Sequence, residues 1–316
     1  MRKHEWISCL IGNVPEFTMQ AWQHSPVHRR ACTDCVNSLF SVNEVASIVG
    51  SSFARGPFVR LVKDGTEIPV RRFARSHVVN SAVMSGFPDE TLVTTEVRDG
   101  ATIVLDALHL GHQQVQEAVR AFSETFGQIV QANAYITPPY AQGLKLHCDR
   151  DDVFVIQCAG SKDWTLYEPT EPWPVKGGAI GGSKIKEPSL RIRLTHGDVL
   201  YIPRGWAHMA TTNDELSVHV TIGILTLTVA QALQALLEVT ANHDRELRRA
   251  FRLDDPEAGS IVLGAVDRLM STISEEDIAD LRVTLHKQLR DSLRSTEPGS
   301  LVRLLAYGDK HAPAAS

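Results

Sequence analysis

No apolar run in the chain approaches the roughly 20 residues that a membrane-spanning helix needs. A helical membrane protein is therefore not expected. The first residues carry Arg2, Lys3 and Glu5 ahead of only a short apolar stretch, so a secretory signal peptide is not expected either. Cysteine is scarce: five in 316 residues, an odd number that argues against a disulfide framework. Cys32-x-x-Cys35 could be half of a redox or zinc site, but no second pair follows at zinc-finger spacing, and it reads as structural. A net charge of −5 and a pI near 6.2 give no bulk attraction to nucleic acid. Lys176, Lys184, Lys186, Arg191 and Arg193 form one local basic group, read as a solvated loop. The composition, 43% hydrophobic and 22% charged, is ordinary for a globular protein, and the length suits one sizeable domain plus an accessory piece. A reducing cytosol is the expected location.

What the chain does contain is His147-Cys148-Asp149 and, about sixty residues later, His208. Side chains alternate along a strand, so His147 and Asp149 share a face while Cys148 points away. Two histidines and one carboxylate make the facial triad that holds non-haem Fe(II) with open positions, a centre that activates O₂. With one carboxylate and two neutral imidazoles, the loaded site keeps one net positive charge, suited to an anionic chelating co-substrate. H-x-D alone is a weak string, and by itself reads as surface or hydrogen-bonded residues.

The residues around it strengthen the reading. Val153-Phe-Val-Ile-Gln-Cys158 is β-branched and aromatic, Gly160-Ser161 is a turn, and Lys162 opens a second strand beside the first. Gly197-Asp198 and Pro203-Arg-Gly205 punctuate further short strands. Strand, tight turn and strand repeat from about Asn133 to Gly223, the pattern of a small antiparallel barrel with a ligand in its mouth.

In these stretches the sequence resembles the JmjC-type 2-oxoglutarate-dependent oxygenases of the double-stranded β-helix (cupin) fold, most closely the ribosomal-oxygenase branch of protein hydroxylases. The resemblance rests on Asn133-Ala-Tyr135-Ile-Thr-Pro-Pro, Gln142-Gly143, His147-x-Asp149, Phe154-Val-Ile-Gln157, Gly160-x-Lys162-x-Trp164 and Leu166-Tyr167-x-Pro169. It continues through Gly197-Asp-Val-Leu-Tyr-Ile-Pro-Arg-Gly205, His208 and His219-Val-Thr-Ile222. Weaker similarity lies upstream in Phe17-x₄-Trp22, Leu39-Phe-Ser and Arg60-Leu-Val-Lys-Asp-Gly65, so residues 15 to 225 are covered.

The resemblance implies His147, Asp149 and His208 as Fe(II) ligands. It implies Lys162 as the partner of the distal carboxylate of 2-oxoglutarate, and Asn133 and Tyr135 as lining for the co-substrate and substrate pocket. It further implies oxidative decarboxylation of 2-oxoglutarate, giving succinate and CO₂, coupled to hydroxylation of an amino-acid residue in a protein or peptide. Read without the resemblance, Lys162 is an exposed hairpin lysine and Tyr135 a core aromatic with its hydroxyl satisfied. His219 reads as a satisfied core histidine, and Cys148 and Cys158 as small buried apolar residues.

The expected fold is mainly β with helices: a double-stranded β-helix (cupin/JmjC jelly roll) domain over residues 1–225, its barrel core about 100–225, then a helical domain over 226–307. Residues 308–316 read as a disordered tail. Ser41-Val-Asn-Glu44 is a capping box, and a helix runs from His112 to about Phe126 with Val115, Val119 and Phe122 on one stripe. Pro169 to Pro188, rich in Pro and Gly, is a candidate lid or substrate-contact element. Thr228-Val-Ala-Gln231 caps a helix with Val229, Leu233, Leu236 and Leu237 in a stripe. Ser274-Glu-Glu-Asp277 opens another, striped by Ile278, Leu281, Leu285 and Leu289. The resemblance implies that these helices form a homodimer; packing within one chain is the alternative. The winged-helix module that follows these helices in the ribosomal oxygenases has no counterpart in the residues after Tyr307. That leaves open a tailoring hydroxylase of a peptide-derived natural product or small molecule. N-methyl demethylation, a 2-oxoglutarate-independent cupin enzyme and a non-catalytic binding module are further readings.

Overall fold

The computed structural model describes residues 3–50, 58–180 and 187–294, and the chain divides into two compact units after Thr226. The strands of the first unit are β1 (Val27–Arg30), β2 (Val59–Lys63), β3 (Thr66–Ile68), β4 (Ala74–Val79), β5 (Ala82–Pro88), β6 (Thr102–Leu105), β7 (Ile129–Thr137) and β8 (His147–Cys148). They continue as β9 (Asp152–Ala159), β10 (Ser161–Tyr167), β11 (Gly178–Ala179), β12 (Leu190–Thr195), β13 (Asp198–Ile202), β14 (Ala207–Thr211) and β15 (Ser217–Leu225). The helices are α1 (Lys3–Leu10), α2 (Val14–Gln20), α3 (Thr33–Leu39), α4 (Val42–Val49), α5 (Glu90–Arg98) and α6 (Gln113–Phe126).

One sheet has the order β1-β13-β9-β15-β7-β6-β2-β3 and a second β11-β8-β14-β10-β12; β4 and β5 pair apart from both. Every pairing among them is antiparallel. This is the expected jelly roll.

The larger sheet is buried on both faces, and its alternation shows how. On β7, Ala132, Ala134 and Ile136 join a hydrophobic core with α1, α3, α4 and α6, as do Val218, Val220 and Ile222 of β15. The intervening residues, Gln131, Asn133 and Tyr135 on one strand and His219 and Thr221 on the other, line a cavity instead. Polar side chains thus point inward because the helical layer takes the apolar face. A second, smaller core closes the barrel between the sheets, with Val155, Trp164, Leu166, Leu200 and Trp206.

Aromatic contacts fasten the N-terminal helices to this frame. Phe17 packs edge-on to Tyr201 at 4.8 Å, and Trp22 stacks on Phe126 at 4.6 Å. The Tyr201 hydroxyl accepts from the Gln23 N–H at 2.9 Å and donates to buried Asp152 at 2.5 Å, which also accepts from the Thr226 hydroxyl at 3.0 Å. Helix starts follow the sequence signals: Glu44 accepts from the Ser41 N–H at 2.7 Å, and His112 is the N-cap of α6.

In the second unit α7 (Val229–His243) packs on α8 (Ala258–Thr272) and α9 (Glu275–Arg294). Thr228 and Gln231 form the expected capping box, and Asp277 accepts from the Ser274 N–H at 2.9 Å. Arg268 grips Asp244 with two bonds of 2.5 and 3.1 Å, tying α8 to the end of α7. Of the expected α7 stripe only Leu236 is buried; Val229, Leu233 and Leu237 are exposed. Residues 308–316, expected as a tail, lie outside the described residues.

Gly160 turns β9 into β10 with a φ of +59°, and a Cβ there would overlap the Leu216 carbonyl oxygen. Gly160→Ala should therefore lower folding stability by ~2 kcal/mol or more, from left-handed strain and the clash together. Urea unfolding measures it; a change below about 0.5 kcal/mol, ordinary for a surface substitution, would contradict this account of the turn.

Candidate active site

His147 on β8 and His208 on β14 are register partners in an antiparallel pair, so their side chains are neighbours on one face. Asp149 follows two residues after His147, just past the end of β8, which is only two residues long. Asp149 therefore lies beyond the strand on which the alternation argument placed it, yet its carboxylate still converges with the two imidazoles. The Gly205 N–H donates to the Asp149 carbonyl at 2.8 Å and pins the main chain there. The three ligand atoms lie within 4.8 Å of one another. The Asp149 carboxylate is 3.9 Å from Nε2 of His147 and 3.6 Å from Nε2 of His208.

Hydrogen bonding fixes which nitrogen each ring offers. Nδ1 of His147 meets the Lys145 carbonyl at 2.8 Å, and Nδ1 of His208 meets the Trp206 carbonyl at 3.1 Å. A carbonyl only accepts, so both Nδ1 atoms carry a proton, and Nε2 is the nitrogen that each ring turns toward Asp149. Burial and the neighbouring His147 push His208 down to about 4, keeping it neutral at physiological pH. Two imidazoles and a carboxylate converging on one point are the donor set that a divalent transition metal takes. The fit is good.

The cavity beside these residues has a volume of about 160 Å³. That is well below the roughly 300–1,000 Å³ of clefts for drug-sized ligands, so the enclosed part suits a small acid. All six expected site residues line it: His147, Asp149, His208, Lys162, Asn133 and Tyr135. Lys162 is not the exposed hairpin lysine of the bland reading; it is 4% exposed. Its Nζ donates to the Thr137 hydroxyl at 2.8 Å, and Thr137 is bonded in turn to Thr102 at 3.1 Å. Lys162 makes no ion pair among the described residues, and burial pulls it down to about 7. Asn133 is held by the Ala107 N–H at 2.9 Å, and burial raises Tyr135 to about 12, so its phenol stays protonated.

His219 corrects an expectation. It is buried, but among the described residues Nδ1 has no hydrogen-bond partner, and the ring lines the cavity. The indole N–H of Trp164, on the same face of β10 as Lys162, also lacks a partner among the described residues. Neither residue was an expected site member, nor was Thr137. The available signal was the run of polar residues alternating with Ala, Val and Ile on β7 and β15. Cys158 is buried as expected, whereas Cys148 is half-buried.

The Pro- and Gly-rich segment does touch the site. Its β11 pairs with β8, Gly178 opposite Cys148 and Ala179 opposite His147. Arg204 donates to the Pro174 carbonyl at 2.9 Å, and Trp173 donates to the Gln23 carbonyl at 3.2 Å. The described part is thus a strap fixed along the ligand-bearing strand. Residues 181–186 of the candidate lid, with Lys184 and Lys186 of the basic group, lie outside the described residues. Arg193 of that group is paired with Asp163 at 2.7 and 3.0 Å.

Residues 109–232 match the family profile described as the JmjC domain. Ribosomal oxygenase 2 of Bos taurus is 41% identical over 111 residues, 34% of this chain and 23% of that protein. Ribosomal oxygenase 1 of Gallus gallus is 28% identical over 251 residues, 76% of this chain and 40% of that protein. The bifunctional lysine-specific demethylase and histidyl-hydroxylase NO66 of Drosophila persimilis is 39% identical over 111 residues, 34% of this chain and 16% of that protein. The chain spans less than half the length of these relatives. Among solved structures, the ribosomal oxygenase YcfD of Escherichia coli, in complex with cobalt and 2-oxoglutarate, superposes with a TM-score of 0.54. That match has 19% identity and covers 88% of this chain and 71% of that one; it shows the shared fold.

The ammonium of Lys162 destabilises the ligand-free protein, since the folded state holds its proton less tightly than the usual 10.5. The penalty is full below about pH 7 and fades as pH rises toward the unfolded value, where both states are neutral. Lys162→Met should therefore stabilise the ligand-free protein by roughly 1–4 kcal/mol in mild acid, with a smaller gain in alkali. Chemical unfolding across pH checks this; a destabilised variant in acid would show that the ammonium has a partner after all.

Proposed function

We propose, from the premise that residues 109–232 form a JmjC domain, that this chain is an Fe(II)- and 2-oxoglutarate-dependent oxygenase that hydroxylates an amino-acid residue in a protein or peptide. The observation that carries the reading is one cavity lined both by the His147–Asp149–His208 cluster and by a buried ammonium that has no counter-ion among the described residues. A metal site alone would fit many cupin enzymes. Lys162 has a use only when an anion reaches deep into the barrel, and a keto acid with a second carboxylate does so.

His147, Asp149 and His208 would hold Fe(II), and with 2-oxoglutarate and O₂ that centre would supply the oxidative chemistry that side chains cannot. The rest falls to the chain. Lys162 anchors the distal carboxylate, which fixes the direction in which the keto acid lies. Val155 and Trp164 form an apolar wall that keeps water from the closed end. Gln131, the exposed member of the lining, would meet the substrate. The relatives named as ribosomal oxygenases favour a protein substrate. The demethylase wording in the NO66 name keeps one variant in view, because hydroxylation of an N-methyl group releases formaldehyde.

A homodimer through the second unit is part of the proposal. Val262, Leu263, Val266 and Met270 of α8 are all about half exposed or more, an apolar surface suited to a second copy. No helix among the described residues is long and apolar enough to cross a membrane, and the cysteines are free, as suits a reducing cytosol.

Purified protein, loaded anaerobically and then given air and candidate basic peptides, should form succinate and add one oxygen mass to a peptide. His147→Ala or Asp149→Ala should reduce both to background; turnover at the wild-type rate in either variant would refute the ligand assignment. Formaldehyde without a mass gain would move the activity to demethylation. Light scattering should give twice the 34.8 kDa chain mass, and a monomer at micromolar concentration would remove the dimer from the proposal.

A further inference from the structure

Three of the five cysteines meet in the N-terminal layer, on elements that carry none of the metal ligands. Cys9 is in the last turn of α1, Cys32 is the N-cap of α3, and Cys35 lies in the first turn of that helix. The Cys9 sulfur accepts from the Cys32 N–H at 3.2 Å and donates to the Cys32 carbonyl at 3.8 Å. Both contacts are to the main chain of one residue, so little more than the χ1 torsion of Cys32 separates the two thiols. The Cys35 thiol is hydrogen-bonded to Cys9 as well. Cys32-x-x-Cys35 thus has a third sulfur beside it, from a different helix, which spacing alone does not reveal.

The three sulfurs differ in access. Cys32 is exposed, and its side chain makes no cap hydrogen bond to α3. Cys9 is half-buried, whereas Cys35 is 2% exposed. Burial first, and then the hydrogen bond with Cys9, pushes the Cys35 thiol up, so Cys35 keeps its proton and is the poor nucleophile of the three. Among the described residues the three sulfurs do not converge closely enough to form a metal-binding group. Thiol exchange needs one sulfur that a small disulfide can reach and a second beside it to complete the bond. Cys32 offers the access and Cys9 the proximity.

We infer that Cys9 and Cys32 are a reversible thiol-modification site, at which exposed Cys32 reacts with glutathione disulfide and Cys9 resolves the product into a disulfide joining α1 to the start of α3. The inference is independent of the oxygenase reading. The Cys32 sulfur attacks one sulfur of glutathione disulfide, whose S–S bond breaks; a mixed disulfide forms and one glutathione leaves as thiolate. The Cys9 sulfur then attacks Cys32 and the second glutathione leaves. The two protons lost by the cysteines end on the two glutathione thiols, and two electrons pass from the protein to the oxidant. The bond closes a loop across 23 residues of sequence separation, which holds α2 and β1. That loop also holds Gln23, whose N–H donates to the Tyr201 hydroxyl and whose carbonyl accepts from Trp173 of the strap.

The test incubates the full chain with glutathione disulfide, quenches in acid, alkylates the remaining thiols and maps the peptides by mass spectrometry. Wild-type protein should lose two of its five thiols, give a Cys9–Cys32 linked peptide, and regain both thiols with dithiothreitol. Cys9→Ser, or Cys9→Ala if serine is not accommodated, should stop at Cys32 carrying one glutathione. Cys32→Ser should slow the loss of thiols ~10-fold or more, since the remaining pair is less accessible. Cys35→Ser should still form the Cys9–Cys32 bond. The oxidised protein should melt about 5 °C higher than the reduced one, as expected for closing a loop of this length. Five thiols that persist, a Cys32–Cys35 linkage in the wild type, or Cys32→Ser reacting at the wild-type rate would each overturn the inference. So would an oxidised form that melts lower, because the bond would then strain the fold.

Discussion

An ammonium group buried in a barrel, bonded to one threonine and, among the described residues, to no carboxylate, is the constraint on which the site is built. Desolvating a cation without its counter-ion works against folding. The molecule tolerates it because the helices and the larger sheet form a separate apolar core, from Trp6 and Leu10 through Phe122 to Ile222. The barrel interior is thereby released from the task of holding the fold together. It can carry Lys162, Thr137, Tyr135 and His219 on walls that would otherwise be filled with valine and leucine. Stability lost at such a site is commonly recovered as binding, since a ligand that supplies the missing charge stabilises the folded state by mass action.

Precision at the metal end has a different origin. His147 and His208 meet because two strands are in register, and Asp149 joins them by being two residues along. The strap from Glu171 to Ala179 pairs with the free edge of β8, and the Gly205 N–H holds the Asp149 backbone. A two-residue strand has little order of its own. Its neighbours on both sides supply it, and the ligands sit on backbone that is hydrogen-bonded in both directions. Preorganisation of this kind keeps a coordination geometry within the tolerance that catalysis needs.

Much of this was readable from residue types and spacing. His147-x-Asp149 with a later His208 and the capping boxes at Ser41 and Thr228 carry local signals, and each stands where the spacing put it; Lys162 does not, since spacing alone makes it an exposed hairpin lysine and the fold buries it. The unread parts depend on what lies across space. β8 is too short to show a period. β11 is Gly-Ala, which favours no element, and exists as a strand only because β8 needs an edge partner. A lone histidine among Val, Thr and Ile looks alike whether its nitrogens are paired or not, so the sequence points to a satisfied core histidine at His219. Only the absence of any partner around Nδ1 distinguishes the two. The α7 stripe was predicted from period alone, and period does not say whether Leu233 and Leu237 meet this chain or another.

The most direct measurement is the affinity of the metal-loaded protein for 2-oxoglutarate as a function of pH. Lys162 is the cation at the closed end, with His219 neutral beside it and Tyr135 protonated. Because Lys162 titrates at about 7 in the ligand-free protein, only its protonated form can receive the distal carboxylate. Affinity should fall roughly twentyfold between about pH 6.5 and about pH 8.5, from the fraction of protein that still carries the proton. Lys162→Met should bind weakly with no such slope. A wild-type affinity that stays flat over that range would mean that the ammonium is not the anchor.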